Sequence, residues 1–160
     1  MKSFHTIAIL FLALPATPVF SATCSVSSVG VSFGTYIPNQ AIPADSAGSI
    51  TIACVKGILD TLPMTVTYSV DISRGSSVSY SPREMTSGAN ALRYNVYRDA
   101  LRISIWGDTT GGTANVTGML QLLAPLGSAS AAHNVYSRIF AGQNAVPGIY
   151  ADSIVVTVAY

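Results

Sequence analysis

The chain has 160 residues and a mass of 16.6 kDa, one domain's worth of protein. Only 9% of residues are charged and the formal net charge is +1, against roughly 25% charged in an ordinary soluble domain. That excludes a nucleic-acid binder, which needs clustered Lys and Arg, and a highly charged disordered chain; with 49% apolar residues and a mean hydropathy of +0.46, the sequence describes a folded protein whose hydroxyl-rich, partly apolar surface associates with something.

The first residues read as an export signal. Lys2 supplies the positive start, Thr6–Leu14 is a short apolar run, and Pro15 and Pro18 follow. Val19-Phe20-Ser21 ends in a small residue with a small residue two before it, so cleavage is expected after Ser21 or Ala22. The run is shorter than the about 20 apolar residues a membrane span needs. A signal peptide over 1–21 and one domain over 22–160 are the expectation, with a soluble, exported product. Without Lys2 the eight cations become seven and match the seven anions. Two cysteines remain, Cys24 and Cys54. In an exported chain an even pair implies a disulfide, worth roughly 3–4 kcal/mol for a loop of about 30 residues. Two thiols with the single mature histidine, His133, make a poor zinc set.

Period-two alternation runs along the rest. Val29, Val31 and Phe33 alternate with small residues; Ile50, Ile52 and Cys54 follow the turn signals around Pro38 and Pro43-Ala44-Asp45. Met64, Val66, Tyr68, Val70 and Ile72 alternate with Thr65, Thr67, Ser69 and Asp71, the clearest half-buried strand. Leu92, Tyr94 and Val96 form the next run, then Leu101, Ile103 and Ile105. Val116–Leu123 and Val135–Phe140 are weaker, with His133 read as a loop residue, and Ile154, Val156, Val158 and Tyr160 close the chain. Turns at Arg74-Gly75-Ser76-Ser77, 107–112 and Pro147-Gly148 separate them. Short strands at regular spacing with no helical stripe predict an all-β antiparallel sandwich.

Catalytic signals fail on context. Gly30-Val31-Ser32-Phe33-Gly34 matches G-x-S-x-G, but the serine lies in an alternating strand and no helix follows it. Asp108-Thr109-Thr110-Gly111 is one polar turn and cannot supply paired carboxylates. Asn115-Val116-Thr117 is a glycosylation sequon by letters and reads as an ordinary entry into a strand. No phosphate loop or metal cluster is evident, and no cofactor is expected.

A further set of residues resembles the spore coat protein U domain family, which includes the subunits of archaic chaperone–usher pili. Cys24 with Phe33-Gly34-Thr35-Tyr36, Cys54, Gly75 and Arg83-Glu84-Met85 come first. Leu92-Arg93-Tyr94-Asn95-Val96-Tyr97-Arg98-Asp99 is the most specific segment, followed by Ile105-Trp106-Gly107-Asp108 and the ending Gly148-Ile149-Tyr150-Ala151-Asp152 through Tyr160. Their order along the whole mature chain carries the match. The resemblance implies an immunoglobulin-like sandwich lacking its last strand. A periplasmic chaperone fills the gap, and at the outer-membrane usher a donor strand from the next subunit replaces it. Val29, Val31 and Phe33 would line one wall, and Ile154, Val156, Val158 and Tyr160 the other, with the Tyr160 carboxylate as a chaperone anchor. Polymerising pilins carry a donor segment before the first cysteine. Cleavage after Ser21 or Ala22 leaves Thr23, or Ala22 and Thr23, there, too few for a strand at about 3.3 Å per residue. The expectation is therefore a non-enzymatic pilus subunit, passing through the periplasm to the cell surface and serving attachment and biofilm formation, at a tip or chain-terminating position. The alternatives are a self-associating spore or cell-surface coat protein, a secreted carbohydrate-binding module using Trp106 and Tyr97, and, least, a hydrolase using Ser32.

Overall fold

Alternating apolar and hydroxyl side chains give a strand one buried and one wet face. The computed structural model describes residues 21–57, 61–123 and 126–160, and among them this pattern yields eight strands and no helix. The expected leader falls, up to residue 20, outside the described residues. The strands are β1 Ala22–Val29, β2 Ala44–Lys56, β3 Met64–Ile72, β4 Arg83–Ser87, β5 Asn90–Tyr97, β6 Val116–Leu122, β7 Ser128–Ile139 and β8 Val156–Ala159. They form a five-stranded sheet in the order β1-β2-β7-β5-β4 and a three-stranded sheet in the order β6-β3-β8. Every ladder is antiparallel. This is the all-β, immunoglobulin-like sandwich that the periodicity and the resemblance predict.

The core lies between the sheets. Ile50, Ile52 and Cys54 of β2 and Leu92, Tyr94 and Val96 of β5 face Val66, Tyr68, Val70 and Ile72 of β3. Trp106 is fully buried, its indole N–H donating to the Val70 carbonyl at 2.9 Å. Cys24 and Cys54 stand opposite each other in the β1–β2 ladder, Cα atoms 4.0 Å apart, and are disulfide-bonded.

Four polar or charged residues are buried among the described residues, Lys56, Arg83, Asn95 and Ser137, and Arg83 is the largest. It is 0% exposed yet satisfied: its guanidinium donates to the carbonyls of Ser73 and Trp106 and to Asn95 Oδ1, and lies 4.9 Å from the centre of the Tyr80 ring. A buried guanidinium is tolerable because its donors meet fixed acceptors.

Several stretches depart from the sequence expectation. The alternating run Val29, Val31 and Phe33, with Ser32 inside it, is not a strand beyond Val29, because β1 parts from β2 there and residues 30–35 pair with neither sheet. Leu101, Ile103 and Ile105 do not build a strand. The Asp99 carboxylate accepts N–H bonds from Ile103 and Ser104 and curls the segment into a loop, leaving Leu101 and Ile103 more than three-quarters exposed. Ser128–Ala132 is strand, not loop, so His133 sits in mid-β7. The long β2 dictates this by pairing with β7 from Ala44–Ile139 to Val55–Ser128, a tertiary override of weak local propensity. That register also draws Ala44 and Asp45 out of the expected turn.

Candidate functional site

The two ends of the chain frame a groove. β1 leaves its sheet at Val29, where the ladder to Ser49 ends. Gly48 permits the departure: a Cβ there would sit 2.4 Å from the Val29 carbonyl oxygen. Residues 30–35 then run outside both sheets, tethered where Ser46 Oγ donates to the Ser32 carbonyl at 2.6 Å. From the other end, Ala151 bridges to Thr86 of β4, and the chain crosses to the second sheet, where β8 pairs with β3 from Ile72–Val156 to Ser69–Ala159. The two crossing segments meet at a bridge between Tyr36 and Gly148, with the Tyr36 and Tyr150 rings edge-on at 6.1 Å.

Between these segments lies a cavity of about 490 Å³. Val29, Val31 and Phe33 line it on the β1 side; Ile149, Tyr150, Ile154 and Val156 line it on the β8 side. Its interior surface is core: Ile50, Ile72, Met85, Leu92, Val96 and Ile139, from strands of both sheets. Among the described residues the outer edge of β8 pairs with no strand. The groove thus combines an unpaired strand edge with apolar side chains that a closed sandwich would cover. Val158 packs half-buried against the core, and Tyr160 is 62% exposed; neither lines the cavity.

One polar pair also faces the groove. Asp152 Oδ2 accepts the Tyr94 hydroxyl at 2.6 Å, and Oδ1 accepts the Ser76 N–H and hydroxyl, both at 2.9 Å. Burial, and then the bond to this carboxylate, pushes the Tyr94 phenol well above its usual range. Gly75, at φ +68°, lets the carboxylate in: a Cβ there would meet Asp152 Oδ2 at 2.0 Å. The pair pins the crossing segment to the β3–β4 turn and to β5. The sequence offered Gly75 and Asp152 only as motif letters, and its alternation gave no sign that Met85 or Leu92 reaches the groove.

The remaining candidates have structural roles. Ser32 is exposed in the crossing segment, while His133 is engaged by Tyr68 across the sheets. Asp108 caps its own turn through the Thr110 N–H and hydroxyl. Trp106 is buried and Tyr97 is 7% exposed, so neither offers a ring for stacking on a sugar. Among the described residues no group of three or more His, Cys, Asp or Glu is placed to hold a metal, and no helix is long and apolar enough to cross a membrane.

An immunoglobulin-like sandwich with an apolar groove between its two terminal crossing segments, reaching the start of β8 at Val156, defines a class of β-domain to which known proteins correspond. Residues 10–157 match the Spore Coat Protein U domain, and the chain belongs to that family. Protein U of Myxococcus xanthus is 30% identical over 148 residues, covering 86% of this chain and 77% of the relative. Among solved structures, the CsuC–CsuE chaperone–tip adhesion subunit pre-assembly complex from the archaic chaperone–usher Csu pili of Acinetobacter baumannii contains a chain of similar fold. The TM-score is 0.52 at 20% identity, over 87% of this chain. This chain spans 40% of that chain's length.

Proposed function

We propose that this chain is an exported, non-enzymatic subunit of an archaic chaperone–usher pilus, and that the groove accepts a β-strand from outside the chain. The observation that carries the reading is the cavity beside the unpaired edge of β8. Backbone groups along β8 give an incoming strand its hydrogen bonds, and core side chains give alternate residues somewhere to go. Each Val, Leu, Ile or Phe so buried contributes about 1.5–3 kcal/mol. Three or four of them make the strand part of the fold. A periplasmic chaperone occupies the groove first, and a donor strand from another subunit replaces it at the outer-membrane usher. Val29, Val31, Phe33, Ile154 and Val156 contact that strand directly. Val158 and Tyr160 act from beyond the cavity, Val158 by seating β8 on the core and Tyr160 as an exposed ring beside the strand that a chaperone holds.

Ala22 and Thr23 already belong to β1, paired with Lys56 and Val55. With export cleavage after Ser21 or Ala22, the subunit accepts a strand without donating one, which suits a tip or chain-terminating position in a fibre for attachment and biofilm formation. N-terminal sequencing of the exported protein tests this part; a start well upstream of Ser21 removes it.

Co-expression with and without a periplasmic pilus chaperone tests the whole reading. A stable one-to-one complex, with free subunit degraded, supports it. A soluble monomer with a cooperative melt and no need of a partner contradicts it. The 30% identity to Protein U keeps a second reading, a self-associating coat protein, and that protein survives loss of the chaperone.

A further inference from the structure

A second cleft, of about 440 Å³, lies between β6 and β7 and shares no lining residue with the groove. It is polar where the groove is apolar. Arg98, Asp99, Thr117, His133, Asn134 and Tyr136 line it, with Val116 and Ala132 as its apolar part. Five of these side chains are fixed by bonds within the protein. Asn134 Nδ2 donates to the Tyr136 hydroxyl at 3.2 Å. The Arg102 guanidinium lies 5.9 Å from the centre of the Tyr136 ring and is itself held by Asp45 at 3.3 Å. Arg98 donates to Ser104 Oγ at 2.8 Å and to the Asn115 carbonyl at 3.0 Å. The Asp99 carboxylate is held by backbone N–H groups of its own loop, and His133 by the Tyr68 hydroxyl at 2.8 Å.

We propose that this cleft binds a neutral saccharide. Its volume falls within the about 300–1,000 Å³ of small-ligand sites. An aromatic ring suits the C–H face of a pyranose, and flanking amide, hydroxyl and guanidinium groups supply donors and acceptors for its hydroxyls. Fixing these side chains beforehand lowers the ordering cost of binding. Charge sets the class: Arg98 and Asp99 offset each other, and burial lowers the pKa of His133, keeping the imidazole uncharged near neutral pH. An anionic sugar therefore meets no net cation among the residues that line the cleft. The module reading returns here on residues other than Trp106 and Tyr97, and it is independent of what fills the groove.

The test is a titration of the full mature chain as it is recovered, alone or with a chaperone in its groove and the free chaperone as control, with neutral disaccharides (cellobiose, lactose, maltose and chitobiose) and one uronate-containing disaccharide, by saturation-transfer NMR. The expected result is millimolar or tighter binding of at least one neutral probe, weakened tenfold or more by Asn134→Ala and by Thr117→Val. Both positions are exposed, so folding is retained where Tyr136→Ala risks it. Lack of binding by every neutral probe, unchanged affinity in both variants, or preference for the uronate overturns the proposal.

Discussion

Two openings among the described residues of the sandwich are built oppositely. The groove between residues 29–36 and 149–156 is lined by core aliphatic side chains and bordered by a strand edge that, among the described residues, pairs with no strand. The β6–β7 cleft is lined mostly by polar side chains, five of them already bonded to the protein, beside Val116 and Ala132, and its His133 is tied to Tyr68 of the opposite sheet. Water solvates the second well and the first poorly. An apolar groove of this kind gains stability from whatever covers it, whereas a polar cleft lacks that drive and selects by hydrogen bonding. The difference teaches that an opening's lining, rather than its size, decides whether it calls for a missing piece of structure or for a soluble ligand.

The contrast can be broken on the groove side with large effects. Val31→Asp or Ile154→Asp places a carboxylate where an incoming strand would enclose it, at a cost of several kcal/mol. Chaperone or strand affinity is expected to fall more than a hundredfold, read by competition binding, while the sugar titration is unchanged. Next, replacing both Cys24 and Cys54 by Ser frees the strand that leads into one groove wall. Stability is expected to fall by about 3–4 kcal/mol in denaturant unfolding of the strand-bound protein. Gly48→Ala forces the Val29 carbonyl aside and is expected to cost about 1–3 kcal/mol. The loss should be larger in strand-binding assays than for any substitution in the polar cleft.

On the polar side the expected effects are smaller. Tyr68→Phe removes the hydroxyl that meets His133 and should cost about 1 kcal/mol of stability without changing strand affinity. The smallest is a pH effect. Burial holds the pKa of His133 below its ordinary 6.5, so the unfolded chain takes up the proton more readily than the folded one. The stability this contributes is present above the unfolded value and is lost as pH falls through the folded one. Melts between pH 7.5 and 5 should show the loss, and His133→Gln should flatten that part of the profile.

Much of this was legible in the sequence because alternation reports burial directly. The alternation over Met64–Ile72 predicts a strand from end to end, and that strand is β3. Alternation fails where something other than the core decides. The apolar 101–105 stretch looks like a strand, yet Asp99 turns it outward. Ser128–Ala132 looks like a loop, yet pairing with β2 makes it strand. β4 has no apolar rhythm because its anchor is Arg83, whose burial depends on acceptors distant in the chain. The groove's outer residues Val29, Val31, Phe33, Ile154 and Val156 could be named because they lie on two runs at the chain ends. Its interior, from Met85 and Leu92, needs the crossings at Gly48 and Ala151 to come together.

Amide hydrogen exchange in the isolated chain tests the unfilled groove most directly. Val156–Ala159 should exchange far faster than Leu92–Val96 of β5, and should slow to match it when a chaperone or an alternating apolar strand is supplied. Equal, slow exchange in both strands of the unaccompanied protein would mean that nothing is missing along β8.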